Sequence, residues 1–142
     1  MWADTLLHAE QQHLLQLLVW AGLSIVSGTA LATLLAARRS RSPLLAHFAI
    51  QMICWGVAIA AIAGVRWHTA QLRDVSGAAR LERLVWMTIG LDAGYVAVGA
   101  ALALSAWLIA KRMAVVGAGV AVMVQGLALL LIELQFASLI SR

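Results

Sequence analysis

Four long apolar runs leave this chain few ways to fold. Leu14 to Ala37, Leu44 to Val65, Leu84 to Ala110 and Met113 to Ile140 hold 24, 22, 27 and 28 residues, and Asp92 and Glu133 are the only Asp, Glu, Lys or Arg inside them. A helix rises ~1.5 Å per residue, so about 20 residues cross a hydrocarbon layer about 30 Å thick. Each run is long enough to span. Backbone N–H and C=O groups in hydrocarbon must be satisfied within the chain, and for runs of this length the helix is the structure that does so. The sequence therefore predicts an all-α integral membrane protein, a four-helix up-and-down bundle.

Composition supports the same reading. At 63% hydrophobic and 11% charged, with mean hydropathy +0.94, a chain of 142 residues has too little polar surface to cover a soluble domain. The connections Arg38 to Pro43, Arg66 to Arg83 and Lys111 to Arg112 are short, so residues 1–142 read as a single transmembrane domain with spans at 14–37, 44–65, 84–110 and 113–140. Pro43 stands where a second helix starts. In the longest connection, 66–83, His68, Leu72, Val75 and Ala79 recur at helical spacing and Ser76-Gly77 interrupts them, which suggests a short interfacial helix. Trp2, Leu6, Ala9 and His13 share a helical face and are expected at the interface or as an extension of the first span. Asp4 and Glu10, with no basic start, argue against a cleavable signal peptide.

The net charge of +4 arises from Arg residues where helices would meet lipid headgroups. That pattern points to a lipid bilayer as partner and to no nucleic acid. Lys and Arg divide five against five between the two sides, with Arg142 in the count. Arg38, Arg39, Arg41, Lys111 and Arg112 crowd into two short loops, which places the termini outside. The preference for Arg over Lys and the abundance of Ala suggest a bacterial cytoplasmic (inner) membrane.

Ionisable groups inside a span are expensive, by at least ~2.5 kcal/mol, and so mark candidate sites. Thr88, Asp92, Tyr95 and Gly99 fall in one stripe of the third span. Asp92 and Glu133 should lie in the same leaflet, about 7 to 10 Å from the midplane, where they would share a proton or a cation or be locked by Arg66, Tyr95 or Gln16. Gln51 and Trp55 share a face of the second span, and Gln125 lies near the centre of the fourth, so a Gln51 to Gln125 bond across the bundle is expected. The candidate ligand- or proton-binding set is Asp92, Glu133, Tyr95, Gln51, Gln125 and Trp55.

Ser24 and Gly28, then Gly56, Ala60 and Gly64, then Gly90 and Gly94 make small-residue rows suited to close helix packing or to a homodimer face. Trp20, Trp67, Trp86 and Trp107 fit an aromatic belt. His8, His13, His47 and His68 sit at or beyond span ends, which favours solvated or interfacial roles over haem or metal ligation. No phosphate-binding loop, dinucleotide fingerprint or nucleophile elbow is present.

Three segments carry a resemblance: His47-Phe-Ala-Ile-Gln51-Met52 with Trp55; Gly90-Leu-Asp92-Ala-Gly94-Tyr95; and Gly117-Ala-Gly119 with Gln125-Gly126 and Glu133. Over residues 8–136 the chain resembles a family of small bacterial membrane proteins of unknown function. The resemblance implies a four-helix membrane bundle with converging polar residues, and it implies no activity or cofactor. The expected function is that of a membrane protein without enzymatic activity, an accessory subunit or lipid- or cofactor-binding module of a larger membrane complex, with that complex or a second copy of itself, as a homodimer, for partner. The alternative expectation is a proton- or cation-coupled transporter using Asp92 and Glu133.

Overall fold

The computed structural model describes residues 2–140. Four helices account for most of them: α1 Trp2–Ala37, α2 Pro43–Thr69, α3 Val75–Ser105 and α4 Met113–Ile140, with a π-helical turn Ala106–Ala110 closing α3, and no strand among the described residues. All four helices are long and apolar enough to cross a membrane. The Trp2 side chain and Arg142 lie outside the described residues.

Local chemistry sets the helix ends. The chain leaves α1 through Arg39 at φ 49, where Arg39 N–H donates to Ala36 O at 3.1 Å and Ser40 N–H to Leu35 O at 3.0 Å. This pair of bonds satisfies carbonyls that the helix end would otherwise orphan. Ser42 caps α2 by accepting from Leu45 N–H, with Pro43 opening the first turn. Asp74 caps α3, its Oδ1 accepting from Gly77 N–H at 2.7 Å. The segment 66–83 is therefore not an independent interfacial helix. Its first residues end α2, residues 70–74 connect, and Val75 onward opens α3. Ser76 and Gly77 belong to the cap, because the Asp74 carboxylate accepts from both the Ser76 hydroxyl and the Gly77 amide.

Paired helices run antiparallel: Gly28 meets Ala49 while Gly56 meets Ala21 across α1 and α2, and Gly99 meets Gly119 while Gly126 meets Asp92 across α3 and α4. Packing is uneven: α1, α2 and α4 touch one another, whereas α3 packs its backbone closely against α4 alone. The seam between α1 and α2 passes through Gly28 and Gly56, where a Cβ would stand 2.8 Å from Ala49 O and from Ala21 O respectively. Between α3 and α4 the seam is Gly99, Gly119 and Gly126. Gly64, Gly90 and Gly94 meet nothing within 4 Å, so these members of the small-residue rows do not pack internally. Trp86, Met87, Leu91 and Val98 make the outer face of α3 apolar and exposed, and Cys54 is likewise exposed on α2.

Candidate functional site

One face of α1 builds the polar interior. Glu10, Leu14, Leu17, Ala21 and Ser24 are all buried at heptad-like spacing, and His13 lies beside Leu14 on the same face. Sequence composition starts the first span at Leu14, but the helix and its buried face continue outward past it. His13 is therefore not solvated. It is 2% exposed, and its ring stacks on Phe136 of α4 with centroids 4.3 Å apart and planes 13° apart.

His13 Nε2 stands 3.3 Å from Glu133 Oε1, close but poorly aligned, so that neither ring nitrogen makes a hydrogen bond. Glu133 Oε2 is also buried without a partner. Asp92, on the face of α3 that meets α4, is 5% exposed and lies within electrostatic range of Glu133. Gly126 lets the α3 backbone at Asp92 and Val96 approach α4 so closely that a Cβ there would stand 2.9 Å from Asp92 O, and Glu133 lies about two turns further along α4. Among the described residues no three His, Cys, Asp or Glu side chains could hold a metal ion. An imidazole and two carboxyls sheltered from water are suited to sharing protons.

The neighbouring cations are committed elsewhere. Arg66 pairs with neither Asp92 nor Glu133; its Nη2 lies 3.9 Å from Glu10 Oε1. Arg73, in the α2–α3 connection, donates to both Glu10 oxygens, from Nε at 3.1 Å and from Nη2 at 2.8 Å. Its hydrogen bond to Glu10 raises the Arg73 pKa above its ordinary value and keeps it charged. Glu10, itself 2% exposed, thus anchors the connection to α1 one helical turn from His13.

Other expected site residues fall into separate groups. Gln125 is fully buried and does not meet Gln51: its Oε1 accepts from Trp20 Nε1–H at 2.7 Å, and its Nε2 donates to Ser24 Oγ at 3.0 Å and lies 3.4 Å from Met52 Sδ. Trp20 thereby leaves the expected aromatic belt to become an internal donor. The small Ser24 leaves room for this network, which ties α4 to α1 and α2. Trp55 packs edge-on against Tyr95 with centroids 5.0 Å apart, and bridges α2 to α3 where their backbones do not touch. Gln51 is half-buried on α2. Gln16 donates to Gln135 at 3.4 Å and not to a carboxyl.

A cavity of about 700 Å³ opens at the same end of the bundle as Glu10, between α1, α3 and α4, with Leu6, Ala9, Leu81 and Ile140 on its walls and Gln12 and Glu82 among its polar groups. Those four apolar residues belong to or pack on the cluster that contains Phe136, the ring that covers His13.

Residues 16–134 match a family of unknown function (DUF6992), and the chain belongs to that family. The matched stretch contains Asp92, Gln125 and Glu133, and it begins after Glu10 and His13. No curated protein and no solved structure matches the chain.

Proposed function

We propose that this is a multi-pass protein of a bacterial cytoplasmic membrane, with its termini outside and without enzymatic activity, and that the His13, Glu133 and Asp92 cluster binds and releases protons to drive coupled transport. One observation carries this reading. A fully buried imidazole faces a buried carboxyl at 3.3 Å, neither ring nitrogen is hydrogen-bonded, and the nearest guanidinium groups are committed to Glu10. Leaving both carboxyls charged with no cation beside them would be costly in a low-dielectric interior, and protons are the cheapest relief. Two carboxyls and an imidazole offer several arrangements of those protons, which is the property a coupled carrier needs.

Proteoliposomes loaded with a pH-sensitive dye test the reading. Wild-type protein is expected to dissipate an imposed pH gradient, and Asp92→Asn, Glu133→Gln and His13→Asn to abolish that flux while keeping the wild-type helical circular dichroism. Flux equal to wild type in all three variants would overturn it.

A second reading, an accessory subunit docking against a larger complex or a second copy, draws on the exposed apolar face of α3, where Gly90 and Gly94 meet nothing within 4 Å. Stoichiometric partners retained on purification from native membranes would favour it.

A further inference from the structure

Two half-exposed guanidinium groups stand over a buried carboxyl and imidazole on α1. The Arg66 and Arg73 side chains are 30% and 28% exposed, Glu10 is 2% exposed, and His13 is 1% exposed. Glu10 and His13 stand three positions apart on one helix, which puts their side chains on the same face one turn from each other. Nε2 of His13 faces Glu133, and Nδ1 is left buried with no partner.

Toward the middle of the bundle the way is closed. Gln125 spends its amide on Trp20, Ser24 and Met52. A Cβ on Gly99 would stand 2.6 Å from Met123 N, and one on Gly119 would stand 2.7 Å from Ala103 N, so the α3–α4 seam has no room for water. At the Glu10 end, the cavity between α1, α3 and α4 is separated from His13 by apolar side chains, Leu6, Ala9 and Leu81 in the cluster that holds Phe136, whereas the approach past Glu10 carries a titratable side chain.

We infer that Glu10 is the relay carrying protons between water at the α2–α3 connection and His13, and that Arg73 is the latch holding this relay closed. The inference rests on the proton-binding role proposed above and deepens it. With both Arg73 bonds in place, the Glu10 oxygens serve as acceptors for a guanidinium that cannot give up a proton. When Arg73 swings away, Glu10 is a buried carboxylate with Arg66 as its remaining cation, and it takes a proton from water. That proton passes to Nδ1 of His13, restoring the Glu10 carboxylate and making an imidazolium. The imidazolium then gives its Nε2 proton to Glu133. The net change is one proton moved from water to the Glu133 carboxyl, with the His13 ring left as its other tautomer. Release by the same route restores the first tautomer. The charged and titratable groups along this route are Glu10 and His13 on α1, Arg66 on α2, Arg73 in the connection and Glu133 on α4, with Asp92 of α3 within electrostatic range of Glu133.

The test is the rate of hydrogen–deuterium exchange at the protonated carboxyl, followed by its infrared C=O band after a switch to D₂O, with the full chain in lipid nanodiscs. Breaking a charge-assisted bidentate bond should accelerate exchange about tenfold or more in Arg73→Gln, and Glu10→Gln should slow it by at least about tenfold. Arg73→Lys keeps the charge but loses the fork and should fall between wild type and Arg73→Gln; it serves if Arg73→Gln loses its helical circular dichroism. Arg41→Gln, at the opposite end, should exchange at the wild-type rate. A wild-type band with unchanged kinetics in the Glu10 and Arg73 variants would overturn the relay and leave the proton-binding centre standing. A wild type with no protonated carboxyl band at all would overturn the centre and the relay together.

Discussion

At the scale of single residues, what was legible depended on contrast. Asp92 and Glu133 stand out because each is a charge in an otherwise apolar run, and the structure buries both within electrostatic reach of one another. Glu10 and His13 gave no such contrast, since they precede Leu14, where composition starts the span. A signal did exist. Counting back from Gly28 and Ser24 in steps of three and four passes through Ala21, Leu17, Leu14 and Glu10, so the packing face of α1 could have been extended outward. Gln125 shows a second limit, because any buried amide needs partners, but composition does not say which donors the fold will bring. Its partners, Trp20 and Ser24, lead to a prediction. Gln125→Leu strands a part-buried indole N–H and a buried hydroxyl and should destabilise the bundle by about 1–2 kcal/mol. Denaturation in mixed micelles measures this, and an unchanged midpoint would show that the network contributes nothing.

At the scale of helices and their ends, capping chemistry decides where segments begin. The presence of four long helices was readable from apolar length, whereas the start of α3 was not, because Asp74, Ser76 and Gly77 look like loop residues until their mutual hydrogen bonds make them a helix start. The Gly77 amide, and after it the Ser76 hydroxyl, stabilise the Asp74 carboxylate and lower its pKa below the ordinary 3.8. A carboxyl lowered in the folded state contributes stability that is fully present above its unfolded value and is lost as pH falls through the folded one. The first turn of α3 should therefore stay ordered at neutral pH and fray only in acid below about 3.8. Amide exchange at Gly77 and Ala78 across an acid titration is the measurement, and Asp74→Ala should remove the pH dependence and leave the turn frayed throughout.

At the scale of the whole molecule, packing shape determines which rows of small residues matter. Gly99 and Gly94 both lie on α3, yet a Cβ at Gly99 would collide with α4 backbone and one at Gly94 would meet nothing within 4 Å. Backbone cannot step aside as a flexible side chain can, so Gly99→Ala should cost about 1–3 kcal/mol by overpacking. Gly94→Ala should hold or slightly raise stability through the better helix propensity of Ala, by up to about 1 kcal/mol. Equal unfolding midpoints for the two variants in mixed micelles would contradict the seam. The sequence by itself determined the number of helices, their fitness to cross a membrane and the isolation of two acids within them. Those properties are sums over local composition and length, and transfer free energy adds residue by residue. Tertiary structure alone decided that α4 would be shared by three neighbours, that Arg66 and Arg73 would be spent on Glu10, and that His13 would face Glu133. Such pairings turn on ångström-scale fit between helix faces, where one absent Cβ sets which backbones can touch and hence which polar groups are left to find each other.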